Sequence, residues 1–417
     1  MNDLARAVST VRRRLIPFLF LLYIFAYLDR INVGFASLQM NTALGFSAAT
    51  YGFASGIFFL GYVIFEIPSN VILARVGARL WIARIMITWG IVSAATMFVR
   101  SAGMFAVLRF LLGVAEAGFF PGIIFYLTRW VPARERARTI AAFMTATLSA
   151  GIIGGPLSGA LLSLNGRAGL AGWQWLFLLE GVPAVLLGVV VLRVLIDRPE
   201  DAGWLPDPER AALVEHLHAE EARAPHTHSV HAALASRRLW LLSAVYFTVP
   251  VALYAFGFFL PQIIQASYSG SDFEIGLLSA IPYLAGAIAM VIAGRHSDRT
   301  GERRWHVALA ALTSGAAFIA TALVHGIAPS MMMLSIAMIG LASMFGPFWT
   351  LATSSVGGAG AAAGIALINS VGNIGGFVGP YLLGYVKDRT SSFAMGLVLI
   401  GTVVIVGGML VLTVPEE

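Results

Sequence analysis

Apolar stretches of about 20 residues, the length a helix needs to cross the hydrocarbon of a bilayer, recur along the whole of this 417-residue chain. Twelve can be marked, at 15–40, 51–74, 80–99, 104–130, 139–164, 173–195, 239–265, 273–293, 307–324, 330–352, 358–386 and 393–414. Hydrocarbon offers the backbone no hydrogen-bond partner, so each stretch must satisfy its own amides, and an all-α membrane protein is expected. The alternation that a β-barrel requires is missing. Composition agrees: 58% of residues are hydrophobic and 12% charged, where a soluble domain has about 45–50% and about 25%. The 44 glycines suit helices that pack closely in lipid. Zero cysteines exclude disulfides and thiolate chemistry and leave the redox compartment open.

The formal charge of +6 is a topology signal rather than a nucleic-acid footprint. An even number of spans puts both termini on one side. With the N-terminus in the cytoplasm, Arg75, Arg79, Arg84, Arg129, Arg134, Arg136, Arg138, the arginines from Arg193 to Arg238, Arg295, Arg299, Arg303 and Arg304 all fall inside. Only Arg100, Arg167, Lys387 and Arg389 fall outside. That bias predicts an inner-membrane protein with both termini cytoplasmic. Arg6 and Arg12 to Arg14 before the first apolar run resemble a signal peptide, but the run exceeds the ~7–15 residues of a signal core and is kept as a span.

The long polar stretch, 197–238, divides the chain into a bundle over 1–196 and another over 239–417. Glu209 to Arg223 can form a short surface helix, and the remainder reads as linker. His226, His228 and His231 lie close in sequence, yet no carboxylate or cysteine joins them at ligand spacing, so no metal is expected. The two halves repeat. Asn70 to Trp81 aligns with Gly294 to Trp305, an offset of 294 − 70 = 224. The same offset carries Gly151, Gly155 and Pro156 onto Gly375, Gly379 and Pro380, and Gly52 and Ser55 onto Gly276 and Ser279. A duplicated six-span unit, both copies in one orientation, predicts two pseudo-symmetric six-helix bundles with a site between them near the midplane.

Charges inside the spans are few: Asp29, Arg30, Glu66, Arg109, Glu116 and Glu180. Each costs roughly 2.5–3.5 kcal/mol at the centre of a lone helix, so each should face protein or water. Arg109 and Glu116 are seven apart and share a helical face. A buried guanidinium is a fork for planar carboxylates, and a carboxylate beside a cavity can take up a proton. Mutual neutralisation that fixes helix register is the competing reading of these charges. Asn369 and Asn373, one turn apart, offer amides either to a polar solute or to a neighbouring helix. Trp349 and Tyr254 can line a cavity or anchor at the lipid interface. Asp298 and Arg299 read as a lock in the loops, joined by Arg75, Arg79 and Arg303. Glu66 is expected to bind Arg75 or Arg138 there, and Glu180 has no evident partner. Gly357 to Gly364 is glycine-rich, but no strand precedes it and no Lys-Ser or Lys-Thr follows, so a small-residue helix start is expected and ATP is not the energy source. No histidine lies within a span, so a proton carrier would have to be a carboxylate.

Gly294-x-x-x-Asp298-Arg299-x-Gly301-x-Arg303-Arg304 resembles the loop signature of the major facilitator superfamily, with Asn70 and Ala74 in a degraded first copy. The runs Tyr27 to Ala36, Arg109 to Pro132 and Asn369 to Asp388 look like the anion:cation symporter branch, which includes carriers of tartrate, sugar acids, phthalate and 4-hydroxyphenylacetate. This resemblance implies that Arg30 binds substrate carboxylate, that Asp29 and Glu116 carry protons, that Arg109 couples the two, and that Tyr62 contacts substrate. Tyr62 also has a plain reading as a packed aromatic, four residues before Glu66.

The expectation is therefore a proton-driven symporter for a small organic anion, working as a monomer in the bilayer, without cofactor, metal or nucleic acid. A cation or drug antiporter of the same superfamily and an anion sensor without turnover are the alternatives. A membrane enzyme is disfavoured because no nucleophile-base pair stands at usable spacing.

Overall fold

A computed structural model describes residues 3–223, 236–354 and 361–414 of the chain. His226, His228, His231 and the glycines from 357 to 360 lie outside the described residues, as does the side chain of Arg138. The described residues form the helices α1 (Asp3–Leu44), α2 (Ala48–Val76), α3 (Ala78–Ala95), α4 (Ala102–Glu116), α5 (Phe119–Thr128), α6 (Ala133–Leu162), α7 (Gly172–Val194), α8 (Asp207–Arg223), α9 (Arg237–Gln265), α10 (Asp272–Thr300), α11 (Arg304–Thr321), α12 (Ile327–Ser354), α13 (Ala361–Thr390) and α14 (Ala394–Val411).

Among the described residues, eleven segments are long and apolar enough to cross a membrane, with α4 and α5 together making one. The twelfth expected span, α11, falls short of that measure. Its helix stops at Thr321 instead of running on to Val324, so its 18 residues take in Arg304 and His306. It packs nonetheless between α12 and α14 as a member of the second bundle. Starts are set by serine caps: Ser47, Ser101, Ser236 and Ser271 accept from the amides of Thr50, Met104, Leu239 and Glu274.

In the first bundle α3 lies against α7, α2 against α4, and α1 against α6 and α7; in the second, α9 lies against α13 and α14, and α10 against α12. The bundles meet along α2 with α13, α6 with α10, and α1 with α9. The first two contacts are one contact repeated, because the offset of 224 turns α2 into α10 and α6 into α13. Glycines allow it. A Cβ on Gly52 would stand 2.3 Å from the carbonyl oxygen of Pro380, and one on Gly155 2.3 Å from that of Gly276. The close packing expected of these small residues is thus used between bundles.

Several hydrogen bonds tie the bundles at the end remote from the chain termini. The carboxylate of Asp388 accepts from the amides of Ala48 and Ala49, at 2.9 and 2.8 Å. Gln39 donates to Asp272 at 2.6 Å, and Gln262 to Ser37 at 2.9 Å. At the opposite end α8, the surface helix expected over Glu209 to Arg223, docks beneath the first bundle: Glu220 accepts from the amide of Ala133 at 3.1 Å, and Trp204, just before α8, stacks on Trp130.

Candidate functional site

The fourth span is not one helix. α4 ends on Glu116, Gly118 takes the left-handed conformation (φ 85°, ψ 0°), and α5 begins at Phe119. Pro121 sits in the first turn of α5, where a missing N–H does no harm. Non-helical backbone at membrane depth needs other partners, and the carbonyl of Ala117 accepts from the Ser69 hydroxyl at 2.6 Å. Trp81 Nε1 in turn donates to Ser69 at 3.0 Å. The apolar run by itself predicts a continuous helix through this point. The Gly118 and Pro121 pair is the signal against it, and the apolar residues around the pair mask it.

The break sets Glu116 at the end of α4, and there it meets Arg30 of α1. Arg30 Nε donates to Glu116 Oε1 at 2.7 Å, and Nη2 reaches the same oxygen. Both residues are buried, Glu116 at 0% exposure. The Arg30 guanidinium also lies over the rings of Tyr62, at 5.2 Å, and Phe58, at 5.5 Å. Across the bundle interface its Nη1 faces the hydroxyl of Tyr254 at 3.4 Å. Tyr254 is residue 30 + 224, so Arg30 meets the counterpart of its own position in the second repeat.

Asp29 points away from that pair, into the first bundle, where it accepts from Ser93 and, at 3.1 Å, from Asn32 Nδ2. Arg109 lies within electrostatic range of it. Arg109 is 1% exposed and its guanidinium lies over the Phe58 ring, 5.1 Å from its centre. Its Nη2 reaches the carbonyl of Ser55 at 3.5 Å, while Nε and Nη1 are buried without a partner. Arg30, Asp29, Arg109, Glu116, Tyr62 and Tyr254 therefore form one cluster where the bundles face each other, and none of the four charged groups is turned to lipid.

Glu66 corrects an expectation. It does not bind Arg75; its Oε1 accepts from Asn369 Nδ2 of α13 at 3.2 Å, across the interface, and Oε2 is buried without a partner. Glu66 lies one turn beyond Tyr62, inside the span, while Arg75 is nine residues further along the same helix, in its last turn. Asn373 is half-buried one turn along α13. Trp349 packs on Tyr246, 4.9 Å between ring centres, and on Phe348 within the second bundle. Glu180, unassigned from sequence, accepts from Ser158 at 3.1 Å.

The loop residues lie at the end that carries the termini. Arg303, just before α11, pairs with Asp298 at 2.8 Å and donates to Ser297 at 2.7 Å, both in the last turn of α10. Arg299, Arg75 and Arg79 are exposed, and the Arg79 backbone amide donates to Asp197 at 2.9 Å. Among the described residues no group of three or more metal-ligating side chains gathers.

Two bundles of membrane helices related by an internal repeat, enclosing buried charges at their interface, define a transporter that moves a solute across the bilayer. The chain belongs to the Major Facilitator Superfamily, whose family model matches residues 19–380. It is thus a secondary transporter and a multi-pass membrane protein, not an enzyme, and requires no cofactor. It is 50% identical over 413 residues, 99% of this chain and 92% of the other, to a putative tartrate transporter of Agrobacterium vitis. It is 42% identical to a quinolone resistance transporter of Acinetobacter baumannii, covering 96% of this chain and 93% of that one. A bacterial homologue of the human lysosomal transporter Spinster, solved inward-facing and occupied, shares the fold with a TM-score of 0.80 at 19% identity, covering 97% of this chain and 96% of that one.

Proposed function

We propose that this transporter takes up a small organic acid anion together with protons, by alternating access. One observation carries the reading: Arg30 spends its charge on Glu116 at the bundle interface. A carboxylate arriving at Arg30 must displace Glu116. An ionised Glu116 left without its guanidinium would be a bare buried charge costing several kcal/mol, so it takes a proton. Anion binding and proton binding therefore favour each other, which is what coupled uptake needs. Asp29, with Arg109 beside it, is the second proton carrier. Tyr62, Asn369, Asn373 and Trp349 are the further contacts to the solute, and Arg109 relays between the two acids. The relative named as a tartrate transporter supports a hydroxylated acid as substrate.

With both termini in the cytoplasm, as the arginine bias favours, the glycine-packed end is the external one and this conformer faces inward. The bundles 1–196 and 239–417 would rock about the interface, and the loop charges Arg75, Arg79, Asp298, Arg299 and Arg303 would close the cytoplasmic side in the opposite state. The membrane is then the inner one.

Purified protein in proteoliposomes tests this. Tartrate should accumulate under an inward proton gradient; Arg30→Ala should abolish saturable uptake, and Glu116→Gln should keep tartrate exchange while losing gradient-driven accumulation. Full accumulation by Glu116→Gln would reject the proton role. The relative named for quinolone resistance favours a second reading, proton-driven export of a drug. That reading wins if the same gradient expels a quinolone and leaves tartrate unmoved.

A further inference from the structure

Glu66 is a buried carboxyl inside a span, apart from the pair of Arg30 and Glu116. It lies on α2 one turn, about 6 Å, from Tyr62 and is 8% exposed. The Arg30 guanidinium stands over the Tyr62 ring, 5.2 Å from its centre, and within electrostatic range of Glu66. The two carboxyl oxygens differ. Oε1 accepts from Asn369 Nδ2 at 3.2 Å, across the bundle interface, and Oε2 is buried with no donor among the described residues. Asn369 Nδ2 carries a second hydrogen beyond the one that Oε1 takes.

The internal repeat separates packing from recognition at this place. The offset of 224 carries Glu66 onto Met290 of α10, and Asn369 back onto Thr145 of α6. That second edge between the bundles has no such pair: the Thr145 hydroxyl donates to the carbonyl of Ala142 in its own helix at 2.7 Å, and a methionine is a weak acceptor only. Glycines bring both edges together, Gly52 at one and Gly155 at the other. Contact between bundles therefore does not call for a carboxyl and an amide here, and a carboxyl inside a span is costly. The repeat also has Tyr254 where the first half has Arg30. The carboxyl and amide thus go with the guanidinium, whose own partner is Glu116.

We propose that Glu66 is a specificity-determining residue: with the carboxylate of the solute on Arg30, Glu66 Oε2 accepts a hydrogen bond from a hydroxyl on the carbon chain of the solute, so the site selects hydroxy acids over acids of the same length without hydroxyls. A hydroxyl both donates and accepts. It gives its hydrogen to Oε2 and takes the second hydrogen of Asn369 Nδ2. A methylene in its place leaves both of these groups unpaired, which is how a buried polar site rejects an analogue that lacks the hydroxyl. The distance of one turn along α2 suits a short acid chain lying over Tyr62. This rests on the reading of Arg30 as the carboxylate site.

Calorimetry on the purified full-length protein tests this with tartrate and with succinate, the same dicarboxylate without hydroxyls. Wild type should bind tartrate at least about tenfold tighter than succinate, which is what one hydrogen bond to a buried carboxyl contributes. Glu66→Met copies the residue that the equivalent edge carries, so the bundles should still pack. It should lose the preference by weakening tartrate alone, with succinate held within about twofold of wild type. Glu66→Gln keeps a polar partner for a hydroxyl and should keep tartrate ahead of succinate. Equal weakening of both acids by Glu66→Met would make Glu66 a packing residue, and an undiminished preference would place the hydroxyl elsewhere; either result overturns the proposal. So does a Glu66→Gln variant as indifferent to the hydroxyls as Glu66→Met. A wild type that binds the two acids alike ends this inference alone, whereas a wild type that binds neither ends the organic-anion reading and this inference with it.

Discussion

Arg30 is held by more than charge. Its guanidinium contacts Glu116 through two nitrogens, faces two aromatic rings and reaches Tyr254 with a third nitrogen. A lysine has the charge without the planar fork or the stacking face. If the proposed organic-anion uptake holds, with tartrate as the probe, Arg30→Lys should weaken its binding by at least about tenfold, roughly 1.4 kcal/mol, measured by calorimetry on the purified protein. Affinity within twofold of wild type would show that Arg30 acts as a point charge only. The identities of the clustered residues were legible because charges inside apolar runs stand out. The partner of Glu66 was not. Asn369 is 303 positions away, and nothing local in α2 distinguishes a carboxylate that turns toward the other bundle from one that turns toward a loop.

At the scale of the element, the break after Glu116 is the feature that sequence periodicity did not reveal. Gly118 is there for two reasons: its φ of 85° is one that L-residues avoid, and a Cβ would stand 2.4 Å from Ser69 Oγ. Gly118→Ala should cost about 1–2 kcal/mol from the backbone alone, with the clash added. A lowered midpoint of thermal unfolding, followed by tryptophan fluorescence, checks it. Adding Ser69→Ala should return none of the loss, because Ser69 Cβ stays 2.8 Å from the new methyl and the Ala117 carbonyl loses its donor, and a double variant more stable than Gly118→Ala would refute that account. The helices themselves were legible with most boundaries within a few residues, because hydrocarbon leaves a long apolar run no other conformation. The largest departures lie at the end that carries the termini: α1 starts at Asp3, before its apolar run, α6 starts at Ala133 and α10 runs on to Thr300, because polar residues outside the hydrocarbon can extend a helix without lengthening the apolar run.

Over the whole molecule, the two bundles are closed against each other at the end remote from the termini, by glycine contacts and by Asp388. That carboxylate takes both amides at the start of α2, where a helix N-terminus favours negative charge. If this conformer faces inward, Asp388 is a latch on the external side. Asp388→Asn keeps one acceptor and loses the charge, worth about 0.3–1 kcal/mol, and should shift the balance toward the outward-facing state by up to about fivefold. The chain has no cysteine, so a single cysteine placed on the external half of α13 reports the shift directly through its rate of thiol labelling. Labelling at the wild-type rate would show that Asp388 caps α2 without holding the bundles together.

Span lengths, the duplication at an offset of 224 and the rarity of charge in the spans fixed the architecture, since each follows from what a bilayer forbids: unpaired backbone and bare ions. These constraints act within single helices, so they can be read along the chain. Which charge faces which partner was decided only by tertiary packing. Glu66 finds Asn369, Glu180 finds Ser158, and Arg30 finds the tyrosine at its own repeat position, because helix rotation and bundle contact bring together residues far apart in sequence. No periodicity records those meetings.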